Sequence, residues 1–197
     1  MYTRRFWVDT ETTGLDSRKH FAFQISYFIE ENNRLLLERT LEMHPDNYEQ
    51  FEFDPEAEDV HGYSKEKILS FSSESEQFSV FLEDLRQYGK NRLTITGYNV
   101  LFDIHFLRAL FARETALRNA RNEPSNPETT DFYNYFDYMY CDVMQLVQAH
   151  RVAGKLNLPS IELEKVCGHF GISIEGAHHS MTDIVNTKAV FDRLLDR

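Results

Sequence analysis

Phe6-Trp7-Val8-Asp9-Thr10-Glu11-Thr12-Thr13-Gly14-Leu15 is an apolar run that ends in two carboxylates and a short polar turn. Its aromatic and β-branched first half reads as a buried strand. Side chains alternate faces along a strand, so Asp9 and Glu11 point to one side and Thr10 to the other. Two like charges sharing one site at the end of a buried strand are costly unless one carboxylate holds a proton or a cation neutralises both. Hard carboxylate oxygens favour Mg²⁺ or Mn²⁺. Thr12, Thr13 and Gly14 follow as a tight turn whose backbone N–H groups can meet an anion or a hydroxyl. Asp-x-Glu alone is a common tripeptide of solvated edges; the apolar lead-in and the Thr-Thr-Gly-Leu sequel set this one apart.

The surrounding chain bounds the answer. Its 197 residues, 42% hydrophobic and 14% aromatic, suffice for one well-packed domain over 1–197 and are short for two. No apolar stretch approaches a membrane span, and Met1 to Arg5 lead into the strand without a signal-peptide core. The expectation is a soluble, cytoplasmic protein with no membrane partner. Cys141 and Cys167 are too few for a disulfide framework and predict reduced thiols. Cys167 with His169 reads as two helix residues, since a zinc site needs a second ligand pair nearby. The formal net charge of −11 argues against gripping long nucleic acid through a general phosphate field. It leaves room for a nuclease, because bound cations invert the local potential where a phosphate must enter.

After Leu15, the runs Phe21 to Glu30 and Arg34 to His44 form a hairpin around Glu31-Asn32-Asn33, completing a three-stranded antiparallel meander. Pro45 to Val60 reads as an acidic loop. Ser64 opens a short helix, and Ser73 to Gly89 a longer one with Phe78, Phe81, Leu82 and Leu85 at helical spacing. Leu93 to Gly97 is β-type. Tyr98-Asn99-Val100-Leu101-Phe102-Asp103 then leads into a helix, placing a third carboxylate at a strand-to-helix junction. Ligand sites of open α/β sheets lie at the carboxyl ends of strands, where Glu11 and Asp103 both fall. Arg108, Arg113, Arg118 and Arg121 on this helix read mostly as solvated surface, with one or two available to substrate phosphates. Phe132 to Tyr138 reads as an aromatic-dense loop, packed, base-stacking or covered by a partner. Tyr138 to Val143 reads as the last strand, Met144 to Val152 as a helix, and Ser160 to Phe170 as another after Pro159. Asp183 lies on a terminal amphipathic helix.

Three motifs in order resemble the DEDDh family of 3′→5′ exonucleases, the group that contains the proofreading subunit of bacterial DNA polymerase III. They are Asp9 to Leu15, Asn99 to Asp103, and His178 to Asp183 with Thr187, and they span nearly the whole chain. A fourth likeness is Asp54-Pro55-Glu56-Ala57 with Val60-His61-Gly62. The resemblance implies an α/β, ribonuclease-H-like fold: a mixed five-stranded sheet, three strands antiparallel and two parallel, flanked by helices. It implies two divalent ions, Mg²⁺ or Mn²⁺, held by Asp9, Glu11, Asp103 and Asp183. It makes His178 the general base, because the family's histidine lies five residues before the last carboxylate and His179 is one residue too close. It also implies that Thr12, Thr13, Gly14, Leu15, Glu56, His61, Asn99 and Phe102 receive the terminal nucleotide. Ser180 departs from the usual alanine, a change the site is expected to tolerate.

The partners implied are 3′ ends of single-stranded DNA or RNA, together with a polymerase or another replication or repair protein. With the sequence ending at Arg197 directly after the last helix, the expectation is that no tail tethers a polymerase. The Glu56 and His61 segment favours the proofreading-like branch and DNA over oligoribonuclease-like or RNA-trimming enzymes. A binding module that had abandoned catalysis would have lost at least one of the five catalytic positions, and all five are filled.

Overall fold

A computed structural model describes residues 4–89, 92–121, 131–175 and 179–195. Strand β1 (Arg4–Thr12) lies near the centre of a mixed sheet, antiparallel to β2 (Ala22–Glu31), which pairs antiparallel with β3 (Arg34–His44). Asn32 and Asn33 at the hairpin tip both take positive φ, the conformation a tight two-residue turn demands. On the other side of β1 run β5 (Leu93–Gly97) and β6 (Phe136–Asp142), both parallel. A two-residue strand β4 (Ser72–Ser73) adds to β3, so the sheet has six strands in the order β4-β3-β2-β1-β5-β6. The expected five are present, and the sixth is too short to leave a periodic signal in sequence.

Alternation along β1 feeds two cores. Phe6 and Val8 enter one with Tyr27, Phe78, Phe81 and Phe106, under helices α3 (Glu74–Tyr88) and α4 (Leu101–Ala120). Trp7 enters the other with Phe28, Val143, Val147, Val166 and Phe191. That core lies under helices α6 (Val143–Val152), α7 (Leu163–Phe170) and α8 (Ser180–Leu194). Both faces are therefore covered, as parallel strands require. Gly97 allows β5 this close to β1, for a Cβ there would sit 2.7 Å from the Val8 carbonyl oxygen.

Four expectations need correction. Pro45 to Val60 is not all loop: helix α1 (Pro55–His61) starts where the Asp54 carboxylate accepts from the Glu56 N–H and Pro55 takes the first turn. It buries no residue, so it has no apolar stripe to announce it. Helix α2 (Lys65–Ile68) is capped by Ser64 as expected. Phe132 to Tyr138 is a one-turn helix α5 (Phe132–Tyr135) running into β6, with Phe132, Tyr135 and Phe136 buried and Tyr138 exposed. The last strand thus begins at Phe136 and ends at Asp142. Finally α7 begins at Leu163 and not at Ser160, whose hydroxyl instead accepts from the Glu162 N–H in a local turn. No helix among the described residues is long and apolar enough to cross a membrane.

Candidate active site

The site forms where β1 runs out. Asp9 and Glu11 continue the face that Trp7 occupies, and a register shift follows Glu11 in its pairing with β2. Helix α8 lies across this face with Asp183 in its first turn. One oxygen from each of Asp9, Glu11 and Asp183 lies within 4.8 Å of the others. Thr10 points to the opposite face, where its Oγ1 donates to Asp103 Oδ1 at 2.8 Å. Asp103 stands in the first turn of α4 and is buried. The structure thus gathers three of the four expected carboxylates in one cluster and brings the fourth from the other side of the strand, tethered by Thr10.

The junction before α4 is braced from its neighbour. Asn99 adopts a left-handed conformation, and its N–H donates to Asp142, the same carboxylate that caps α6 through the Met144 N–H. Asp142 carries no motif. Its role as a clamp between two helix starts is visible only in three dimensions.

Burial and mutual repulsion dominate the electrostatics. Burial lifts the Asp9 carboxyl well above its usual range, and Asp103, Glu11 and Asp183 lift it further. Burial and then Asp183 push Glu11 up to about 7. Burial raises Asp103 to about 7 against the hydrogen bonds from Thr10. Crowded hard oxygens that resist ionisation in common are the donor set of a divalent cation, so the residues fit the ion that the sequence implies.

Beside the carboxylates opens a cleft of about 300 Å³, walled by the turn after β1 and by α1. Thr12, Gly14, Leu15, Glu56, His61 and Phe102, six of the eight expected substrate residues, line it. Thr13 and Asn99 do not. Thr13 is a buried brace: its N–H donates to the Phe21 carbonyl and its carbonyl accepts from the Asp54 N–H. Gly14 packs so tightly that a Cβ would lie 2.4 Å from the His20 ring, itself held by the Glu52 carbonyl. Leu15 stands 80% exposed, an apolar side chain in the lining of the cleft. His61 Nδ1 accepts from the Tyr63 N–H at 3.0 Å, which places the ring proton on Nε2. Burial also pulls its pKa down, so His61 is a neutral donor. A second cleft of about 710 Å³ opens on Asp9 and Asp183 from the side of Tyr98 and the start of α7.

The arginines of α4 mostly serve the fold. Arg113 pairs with Glu74 at 2.6 Å, Arg118 faces Glu114, and Arg108 lies over the Tyr133 ring. His178 lies outside the described residues. His179 precedes the first turn of α8, its carbonyl accepts from the Asp183 N–H, and its ring lines a polar groove with Gln24, Thr40 and Glu42.

Comparison with known proteins agrees with this geometry. Residues 6–191 match the exonuclease family of the RNase T type. The chain belongs to this exonuclease family. It is a DEDDh-type 3′→5′ exonuclease, a phosphodiester hydrolase. A similar protein is ribonuclease T of Yersinia enterocolitica, 26% identical over 96% of this chain and 83% of the relative. Similar solved structures include the zinc-bound Escherichia coli exonuclease I complex with single-stranded DNA, with a TM-score of 0.74 at 19% identity. Exonuclease I of Methylocaldum szegediense superposes with a TM-score of 0.75 at 21% identity. Both alignments cover 98% of this chain but only 42% and 40% of those longer proteins. They establish the shared ribonuclease-H-like fold.

Proposed function

We propose that this exonuclease removes nucleotides from the 3′ ends of single strands, with DNA as its preferred substrate, releasing nucleoside 5′-monophosphates. The observation that carries the reading is the cluster of Asp9, Glu11 and Asp183 oxygens beside a cleft sized for one terminal nucleotide. Asp9, Glu11 and Asp183, with Asp103 across the strand, would hold two Mg²⁺ or Mn²⁺ ions. Such ions, when bound, stabilise developing charge on the attacking and leaving oxygens of an in-line displacement.

The chain's own residues do the rest. Leu15 and Phe102 border the base, while Glu56 and the Nε2–H of His61 face the sugar and phosphate across the cleft. His178, five residues before Asp183, takes the proton of the attacking water. In this reading the cleft takes the end of a strand and not its interior. The exonuclease I complexes with single-stranded DNA support an unpaired substrate. The likeness to ribonuclease T favours a second reading, trimming of RNA 3′ ends at the same site.

A product time-course on end-labelled single-stranded DNA, RNA and mispaired primer-template, with Mg²⁺, Mn²⁺ or chelator, tests both readings. DNA shortened one nucleotide at a time from its 3′ end is expected, with covalently closed circles untouched. Cleavage of circles as fast as linear strands would overturn the assignment. A higher kcat/KM on RNA than on DNA would move it to the second reading.

A further inference from the structure

Ser180, where the sequence departs from the family's usual alanine, is fully buried as the first residue of α8. Its Oγ lies 2.6 Å from Gln24 Oε1 and 2.7 Å from Ser26 Oγ. Ser26 Oγ in turn lies 2.7 Å from Thr40 Oγ1. Gln24 Nε2 faces Glu42 Oε1 at 3.1 Å and the Tyr63 hydroxyl at 3.4 Å. The Glu42 carboxylate accepts only, which fixes the orientation of the Gln24 amide and turns its oxygen to Ser180. The Ser180 proton must then go to Gln24, Ser26 donates to Ser180, and Thr40 donates to Ser26. One donor order satisfies the whole row, and bonds aligned in this way reinforce one another.

The row runs beside the carboxylates. In the β1–β2 register Gln24 is the cross-strand partner of Glu11, and Ser26 that of Asp9. Three residues on from Ser180, on the same side of the helix, α8 presents Asp183. We propose that Ser180 is a positioning residue: its hydroxyl pins the first turn of α8 to the strand backing Asp9 and Glu11, and so sets the place of the Asp183 carboxylate. The inference rests on reading the cluster as a cation centre. The serine is built into a hydrogen-bonded row, where the sequence predicts only a tolerated substitution.

The test titrates the chelator-stripped full chain with Mn²⁺ alone, by calorimetry, beside single-turnover rates on an end-labelled oligonucleotide. Ser180→Ala is expected to weaken Mn²⁺ binding about ten- to a hundredfold, the usual loss when a group that orients a ligand is removed. KM for the oligonucleotide at saturating metal should stay within about twofold, since the cleft residues are untouched. Gln24→Met removes the same bond from the strand side and should weaken Mn²⁺ binding alike, and the double variant should be no worse than either single change. Should Ser180→Ala fail to fold, Gln24→Met carries the test. A serine that only stabilised the fold would lower the melting temperature and leave Mn²⁺ affinity unchanged below it; that result, or losses that add in the double variant, overturns the proposal. A wild-type chain that binds no Mn²⁺ and shortens no strand overturns the cation-centre reading instead.

Discussion

Strand β1 and helix α8 meet at two places, and the two handle charge in opposite ways. Near the start of β1, Arg5 pairs with the buried Glu30 at 2.6 Å and donates to Asn33. Lys188 of α8 joins them, 3.7 Å from Glu30 and 2.6 Å from Asp192. The two cations also lie over aromatic rings, Arg5 at 5.4 Å from Phe191 and Lys188 at 5.9 Å from Trp7. At the other end of the same strand, the charges acting on Asp9 are three more carboxylates. One contact balances its buried charge from within the chain and serves the fold. The other concentrates a single sign and is completed from outside.

If that contrast is correct, disturbing the acidic end should abolish turnover and spare stability. Asp9→Asn, or excess chelator, is expected to lower the rate by about 10³-fold or more, the scale of losing several kcal/mol of charge stabilisation. The chain should remain folded, since the change relieves repulsion. Full activity of Asp9→Asn in a steady-state assay would break the comparison outright.

Next in size is the proton acceptor. His178→Ala should lose about 10²–10⁴-fold in kcat with metal binding kept, the usual worth of a general base. His179→Ala, whose ring lines the separate polar groove, should stay near wild type. Single-turnover rates showing the reverse order would place the motif one residue out of register.

At the balanced end the outcome inverts. Arg5→Ala strips the buried Glu30 of its closest cation and should cost about 3 kcal/mol of stability in urea unfolding. The rate per folded molecule should not change. A loss of activity larger than the loss of folded protein would mean that the two ends are coupled.

The smallest effect is one of pH. Glu11 and Asp103 are both raised to about 7, so the fold prefers their protonated forms. Stability from such groups is fully present below the unfolded carboxyl values and is lost as pH rises through about 7. Chelator-treated protein should therefore be less stable at pH 8 than at pH 5, by on the order of 2 kcal/mol after solvent screening, and should melt at a lower temperature there. Saturating Mn²⁺ should flatten that slope. Equal slopes with and without metal, in thermal unfolding, would show that the ion does not sit among these groups.

How far the residues announced this architecture depended on how local each signal was. The strand from Phe6, the hairpin over Asn32-Asn33 and the helix from Ser73 to Gly89 carry their own punctuation, and they appear as read. Helix α1 escaped because Asp54-Pro55 reads as readily as a chain breaker as it does as a cap, and no apolar stripe follows. The carboxylates were legible because chemistry restricts them to two residue types at recurring intervals. The division of labour among them was not: that Asp103 reaches in from the opposite face through Thr10 depends on which side of the sheet α4 packs. Ser180 illustrates the limit best, since nothing in a linear chain connects position 180 to positions 24 and 26.

The docking of α8 on the β1–β2 pair has a further consequence, for when the enzyme can act. Asp9 and Asp183 lie toward opposite ends of the sequence, and contacts of such long separation form late because the intervening chain must first be ordered. A chain that has completed only its meander holds two of the three clustered carboxylates. If Asp183 serves the reaction as proposed, nascent or partly unfolded copies should be inert toward nucleic acid, and cutting should begin only with the last helix in place.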